Sequence, residues 1–204
     1  RFMDNGNPSP RSVERLRAAM LPAAGASGRP QRRALLLDRR GSRRLHRAQG
    51  LVRAASRALP GFTVRRVLLE GRTVAEQVRA FAAATLVAGV DGAGLTNSLW
   101  MPASSGLLVF VPAREPYHAG ISPVTPASSC ATSTTWLLAD SAGLANAALF
   151  LRSESLYAPS LAVPPQALAT SLRKLQALRL QSVRSASGPA APRAASAAAE
   201  GAAR

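Results

Sequence analysis

The chain has 204 residues, of which 47% are hydrophobic and only 4% aromatic, and this length suits one compact domain or one half of a two-domain protein. One cysteine and two distant histidines exclude an internal disulfide and a zinc site, and the longest apolar run, 80–90, is too short to span a bilayer, so we expect neither a metal nor a membrane span in this chain. The net charge of +16, carried almost entirely by arginine, indicates an anionic partner.

Predicted strands and helices alternate along the chain from residue 32 onward. Residues 1–31 are rich in proline, glycine and serine, and we expect a linker or the end of a preceding domain there. Continuous apolar runs predict a buried strand at 34–38 and a further strand at 107–111, and two more strands are predicted at 62–69 and 85–90. Helical periodicity predicts helices at 12–20, 45–59, 74–84, 95–101, 134–144 and 167–180.

Continuous apolar strands separated by single helices are typical of a parallel sheet that is covered on both faces. The predicted fold class is therefore α/β, with a Rossmann-like parallel sheet in a domain that spans 32–180. Residues 113–133 form a loop rich in serine, threonine and proline, and residues 181–204 are a low-complexity tail that we expect to be disordered.

The basic residues crowd into the first 79 positions, whose charge balance is +13. The densest group follows the predicted strand at 34–38 and consists of Arg39, Arg40, Gly41, Ser42, Arg43 and Arg44. Ligands of open α/β sheets bind at the carboxyl ends of the strands, and guanidinium groups there can hold phosphate oxygens in bidentate pairs. This arginine loop (39–44) is a candidate phosphate site, and the alternative is a solvated turn in an arginine-rich protein.

A second candidate loop, the glycine loop (89–97), leaves the predicted strand at 85–90. Its three glycines would let the backbone turn sharply and bring its amides toward a ligand. The loop matches neither the dinucleotide fingerprint nor the lysine-bearing phosphate loop. The alternative is a plain strand-to-helix turn capped by Asp91 or Thr96. On the preceding helix, Glu76 is a candidate to bind a ribose or base hydroxyl of a nucleotide. The alternative is a solvated carboxylate on the helix surface.

Read in order, the segments 33–45, 76–78 and 89–97, followed by Met101-Pro102, resemble the catalytic domain of the family 61 glycosyltransferases. That family includes plant cell-wall xylosyl- and arabinosyltransferases and animal O-linked N-acetylglucosaminyltransferases. The resemblance extends over 32–180. It implies the carboxyl-terminal, donor-binding half of a GT-B type glycosyltransferase, with the acceptor-binding half outside this chain, and a location in the lumen of the Golgi or endoplasmic reticulum.

The resemblance also implies a hexosyl- or pentosyltransferase. Its donor would be a nucleotide sugar, expected to be UDP-linked, and its acceptor a hydroxyl of a glycan or glycoprotein. The reaction would need no metal and no further cofactor. By position, Arg39 or Arg40 and Arg43 or Arg44 would face the donor diphosphate. Beside it would lie Gly92, Ala93, Gly94, Thr96 and Asn97. Asp91 stands where relatives have a histidine and is the candidate catalytic position, where the change from an imidazole to a carboxylate would repel a diphosphate.

Two alternatives from other functional classes stay open at this point. A catalytically silent relative would keep the fold and the binding cleft, and Asp91 is the reason to consider it. A basic nucleic-acid-binding protein would account for the net charge. Aromatic stacking residues are scarce, however, and the arginines gather at one strand end rather than along a helix, so we do not expect a nucleic-acid partner.

Overall fold

The structure is a computed structural model that describes residues 3–4, 7–27, 31–113, 121–122, 134–152 and 158–186. Its strands are β1 (Met3–Asp4), β2 (Asn7–Pro8), β3 (Arg33–Asp38), β4 (Arg44–Leu45), β5 (Thr63–Leu68), β6 (Leu86–Val90), β7 (Gly106–Ala113), β8 (Ile121–Ser122), β9 (Ala145–Arg152) and β10 (Ser160–Leu161). Its helices are α1 (Pro10–Ala23), α2 (Ala48–Ala58), α3 (Val74–Ala82), the 3₁₀ helix η1 (Ala93–Trp100), α4 (Thr134–Ser141) and α5 (Pro165–Ala186).

The main sheet has the strand order β5-β3-β6-β7-β9-β8. The first five strands run parallel, in a register that aligns Leu36 with Ala88 and Ala88 with Leu108, and β8 pairs antiparallel to β9. The predicted Rossmann-like parallel sheet is thus confirmed. The chain leaves β3 toward β5 and then crosses back to β6 on the other side of β3. The order therefore reverses between β3 and β6, which is the topological switch point where ligands of such sheets bind.

Helices cover both faces of the sheet, because successive residues of each buried strand point to opposite sides. Leu36, Ala88 and Leu108 pack against α2 and α5 in one core cluster. Leu35, Val87 and Leu107 pack against α1, α3, η1 and α4 in the other cluster. Both clusters rely on leucine and valine beside many alanines, as the composition predicts. The result is a three-layer α/β/α unit.

Helix α1 is longer than the helix predicted at 12–20, and it packs against this unit. Its N-cap Ser9 accepts a hydrogen bond from the Ser12 amide, and Pro10 at the first helical position suits the helix start. Val13 is 1% exposed within the core, and the Arg79 guanidinium of α3 donates to the carbonyl of Ala24 at 2.8 Å. The predicted domain boundary at residue 32 remains a prediction, and α1 packs across it.

Three other segments differ from the sequence-based expectation. Leu45, predicted to begin the helix at 45–59, lies in strand β4 because it pairs with β10, and α2 begins at Ala48. The helix predicted at 134–144 ends at Ser141, because Gly143 turns the chain with φ +68°, and the following residues form the unpredicted strand β9. Helix α5 runs to Ala186, so residues 181–186, predicted to be part of a disordered tail, are helical. Residues 187–204 of that tail, and most of the loop predicted at 113–133, lie outside the described residues.

Candidate functional site

The arginine loop begins and ends at one carboxylate, that of Asp38 at the end of β3. Its Oδ1 accepts the backbone N–H groups of Arg39 at 2.8 Å and Leu45 at 2.7 Å. Its Oδ2 accepts Nε and Nη2 of Arg66 on the neighbouring strand β5, both at 2.7 Å. The Asp38 side chain is 1% exposed. Because one buried carboxylate bonds the residues on both sides of the loop, residues 39–44 close into a ring.

A second set of bonds ties the end of this loop to a distant part of the chain. The backbone N–H of Arg43 donates to the carbonyl of Ala158 at 2.8 Å, and that of His46 donates to Leu161 at 3.0 Å. Strands β4 and β10 pair parallel between these bonds. Arg43 has a positive φ of 60°, which is uncommon for a residue with a side chain. The surrounding bonds hold it there.

The glycine loop meets the arginine loop at Gly92. This residue has φ +151° and ψ 177°, a conformation essentially restricted to glycine. A Cβ atom at Gly92 would lie 3.5 Å from Nη1 of Arg39 and 3.5 Å from Nη2 of Arg43. Arg43 also donates from Nη1 to the backbone carbonyl of Asp91 at 2.9 Å. Two guanidinium groups therefore lie against a turn without a side chain, and we call Arg39, Arg43 and Gly92 the guanidinium cluster.

A cavity of about 180 Å³ adjoins the guanidinium cluster, on the face of the sheet that carries α3 and η1. Leu37, Leu69 and Leu95 form its apolar wall. Its other lining includes the backbone of Gly92, the guanidinium of Arg39 and the carboxylates of Asp38, which is bonded to Arg66, and Glu70. In the described part of the chain, the Arg39 side chain forms no hydrogen bond or ion pair. The arrangement therefore offers at least one guanidinium and a close backbone approach to an anion at the switch point.

A model of the family described as Glycosyltransferase 61 matches residues 3–108, slightly more than half of the chain. The chain belongs to glycosyltransferase family 61. The match includes both loops and begins within the segment that was predicted to be a linker. A search of the curated proteins found no match. The resemblance inferred from the loop sequences is thus confirmed, and the enzyme class is that of a glycosyltransferase.

In this glycosyltransferase the four predicted arginines divide between two sides of the arginine loop. Arg39 and Arg43 join the guanidinium cluster. Arg44 lines a separate groove beside α2, and Arg40 is exposed while its backbone N–H donates to Glu70 at 3.1 Å. Gly41 and Ser42 are exposed, and a Cβ at Gly41 would meet nothing within 4 Å. The structure therefore brings two of the four guanidinium groups to Gly92.

Glu76 lies at the start of α3 and takes part in a capping box. Its Oε2 accepts from the backbone N–H of Thr73 at 2.7 Å and from the Thr73 hydroxyl at 2.9 Å. These bonds hold the pKa of the Glu76 carboxyl below its usual value. The carboxylate is exposed and engaged in its own helix cap. A contact with a donor hydroxyl stays a prediction.

Thr96 and Asn97 form local bonds that shape η1. The Thr96 hydroxyl donates to the carbonyl of Ala93 at 2.7 Å. The Asn97 amide donates to Oε1 of Gln77 at 3.0 Å, and its oxygen accepts Nε1 of Trp100 at 3.1 Å. Asn97 thus ties the glycine loop to α3. Ala93 and Gly94 are exposed at the start of η1, beside Gly92, and the donor contacts predicted for all four residues remain predictions.

Sequence reasoning assigned no role to Asp38, Arg66 or Gln77, which shape the site without belonging to either predicted loop. An aspartate that ends an apolar strand just before an arginine loop is a signal that could have indicated the first of them. The partner of Asp38 could not be found in this way, because Arg66 lies on another strand, 28 residues away.

The described residues contain neither a metal-binding cluster nor a membrane-spanning helix. No group of three histidine, cysteine, aspartate or glutamate residues there could hold a metal ion. No helix in the same ranges is long and apolar enough to cross a membrane. Metal independence remains a prediction.

Proposed function

We propose that this glycosyltransferase binds a nucleoside-diphosphate sugar, UDP-linked, with the diphosphate against the guanidinium cluster. One observation carries the proposal: the guanidinium groups of Arg39 and Arg43 both lie 3.5 Å from the place that a Cβ of Gly92 would occupy. A ligand oxygen can approach the backbone there because no side chain intervenes. The cluster also lies at the switch point of the sheet, where ligands of this fold class bind.

The proposed reaction transfers the sugar to a hydroxyl of a glycan or glycoprotein. The bond between the anomeric carbon and the diphosphate oxygen breaks, the acceptor oxygen bonds to that carbon, and the hydroxyl proton leaves with a base. Negative charge grows on the departing diphosphate, and positioned guanidinium groups stabilise it in place of a metal ion. The chain would then be the carboxyl-terminal half of a GT-B enzyme, a hexosyl- or pentosyltransferase of the Golgi or endoplasmic reticulum lumen, by resemblance to its family.

Calorimetric titration of the full chain with UDP in the presence of a chelator tests the donor assignment. We expect binding without divalent metal, because arginine supplies the countercharge. UMP should bind more weakly than UDP, since it lacks the second phosphate. A folded chain that gives no heat with UDP, GDP or another nucleoside diphosphate would contradict the proposal.

Asp91 provides a further prediction, because it directly precedes Gly92 of the guanidinium cluster. Exchanging its negative charge for an imidazole, in Asp91→His, should strengthen UDP binding about two- to tenfold. Two unit charges ~4 Å apart at an effective dielectric near 20 repel by ~4 kcal/mol before screening, so even a small part of this is measurable. The comparison is between UDP dissociation constants of the two proteins near pH 7.

Asp91→Asn is the matched control, since it removes the charge and keeps the size. It should also strengthen UDP binding, by less than the histidine does, because an amide cannot take up a proton beside the diphosphate as an imidazole can. Weaker UDP binding by both variants would contradict the repulsion and assign the carboxylate a favourable contact. If Asp91→His gains turnover of a UDP-sugar that the original chain lacks, the chain is a catalytically silent relative, the alternative that Asp91 favours.

A further inference from the structure

A groove of about 920 Å³ lies on the other face of the sheet from the guanidinium cluster, at the same edge. The first turn of α2, strand β4 and residues 162–165 bound it. Its apolar floor includes Leu45, Leu51 and Val163, which belong to the core cluster under α2 and α5. The cavity beside the guanidinium cluster is lined by Leu37 and Leu95 of the opposite core cluster. Asp38 is the single lining residue that the two cavities share.

Four arginines line this groove: Arg44, Arg47, Arg53 and Arg66. Arg66 pairs with Asp38, the one carboxylate in the lining, which also accepts two backbone amides. In the part of the chain that the structure describes, the side chains of the other three form no hydrogen bond or ion pair. The groove therefore carries an excess of three positive charges.

Two features of α2 direct positive charge into the groove. A Cβ at Gly50 would lie 3.9 Å from Nη2 of Arg53, so that guanidinium folds back over the first turn of the helix. The backbone of Arg47, at the N-cap, has a left-handed conformation with φ 51° and ψ 42°, and its side chain forms no capping hydrogen bond. The partial positive charge of the helix start is thus added to that of the arginines.

We propose that this groove binds a saccharide that carries oxyanions, either carboxylate or sulfate, as the acceptor of the reaction. This inference rests on the proposed function, because a transferase needs a second substrate near its donor. It extends the acceptor site from the half expected outside this chain onto the donor-binding half, where the groove opens at the same edge of the sheet as the guanidinium cluster. Guanidinium groups pair with carboxylate and sulfate oxygens in bidentate geometry. Pro164 and Pro165 add apolar surface for sugar rings. No phenylalanine, tyrosine or tryptophan lines the groove, which disfavours a single-stranded nucleic acid, whose bases stack on aromatic side chains.

Titration of the full chain with three tetrasaccharides tests the ligand class. The probes are a tetragalacturonate, a sulfated tetrasaccharide and neutral cellotetraose. We expect at least one acidic probe to bind at least about tenfold more tightly than the neutral one, the loss that follows from removing a single charged hydrogen bond. Comparison of the two acidic probes separates carboxylate from sulfate. Equal binding of neutral and acidic probes, or tighter binding of a single-stranded oligonucleotide, overturns the inference.

The variant Arg47→Gln/Arg53→Gln locates the binding. It should lower the affinity for the acidic probe about tenfold or more and leave the affinity for UDP within about twofold of the original chain's. Arg57→Gln is the matched control, because Arg57 is exposed on the same helix and lies outside the groove lining. It should change both affinities less than about twofold. Equal losses at the control and the double variant would mean a diffuse charge effect and overturn the inference.

The UDP titration on the same samples separates the two proposals. UDP binding without binding of an acidic saccharide contradicts the groove assignment alone. Binding of an acidic saccharide with the expected variant pattern, but without UDP, contradicts the donor assignment and leaves the groove as an anionic saccharide site.

Discussion

Asp38→Ala is expected to lower the free energy of unfolding by about 2–5 kcal/mol. The substitution removes the acceptor of two backbone amides, one of them the buried amide of Leu45, and an unsatisfied buried donor costs about 1–3 kcal/mol. The lost pair with Arg66 adds little, because that side chain is 44% exposed and water screens it. Urea denaturation followed by circular dichroism measures the change.

Two milder variants divide this loss between its causes. Asp38→Asn keeps one acceptor oxygen and should cost less than Asp38→Ala. Arg66→Gln leaves the backbone bonds of Asp38 intact and should cost under about 1 kcal/mol. An Arg66→Gln variant as unstable as Asp38→Ala would show that the ion pair, rather than the closure of the loop, stabilises this region.

Arg39→Ala and Arg43→Ala are each expected to weaken UDP binding about ten- to a hundredfold. Each removes charge-assisted contacts worth ~1.5–3 kcal/mol from the guanidinium cluster. Arg40→Ala and Arg44→Ala are matched controls in the same loop, and their losses should stay below about threefold, since neither guanidinium adjoins Gly92. Titration of the four variants with UDP gives the comparison.

Arg43 needs a second variant, because its guanidinium also donates to the carbonyl of Asp91. Arg43→Lys keeps the charge and loses the planar fork, so it should restore part of the affinity that Arg43→Ala loses. Equal and small losses at all four arginines would contradict a defined diphosphate site and describe a diffuse basic surface instead.

The parallel sheet could be predicted from the sequence where leucine and valine dominate the strands. The runs around Leu36, Val87 and Leu108 are continuous and apolar because helices cover both their faces. Strand β9 gave no such signal, since alanine occupies three of its first four positions and Asn146 interrupts the run. Alanine has little preference for a strand, and the neighbouring strand β7 determines its conformation.

The candidate site was predictable in its location and only partly in its detail. Both loops follow apolar strands, which suffices to place them at one edge of a parallel sheet. Which guanidinium groups reach Gly92 depends on the left-handed backbone of Arg43 and on the bonds of Asp38. Those bonds join residues on separate strands, and local sequence patterns carry no information about such pairs.

The pairing of β4 with β10 has a consequence for the order in which the molecule folds. Arg43 at the arginine loop is bonded to Ala158, more than a hundred residues further along the chain. Contacts of such large sequence separation form slowly, because a long loop must close before they contribute. The first strands and their helices can therefore associate while the arginine loop is still incomplete, and residues 158–161 give it its final shape. This partner segment lies beyond the region that matches the family, 3–108, so the loop's sequence and its fixed geometry come from separate parts of the chain.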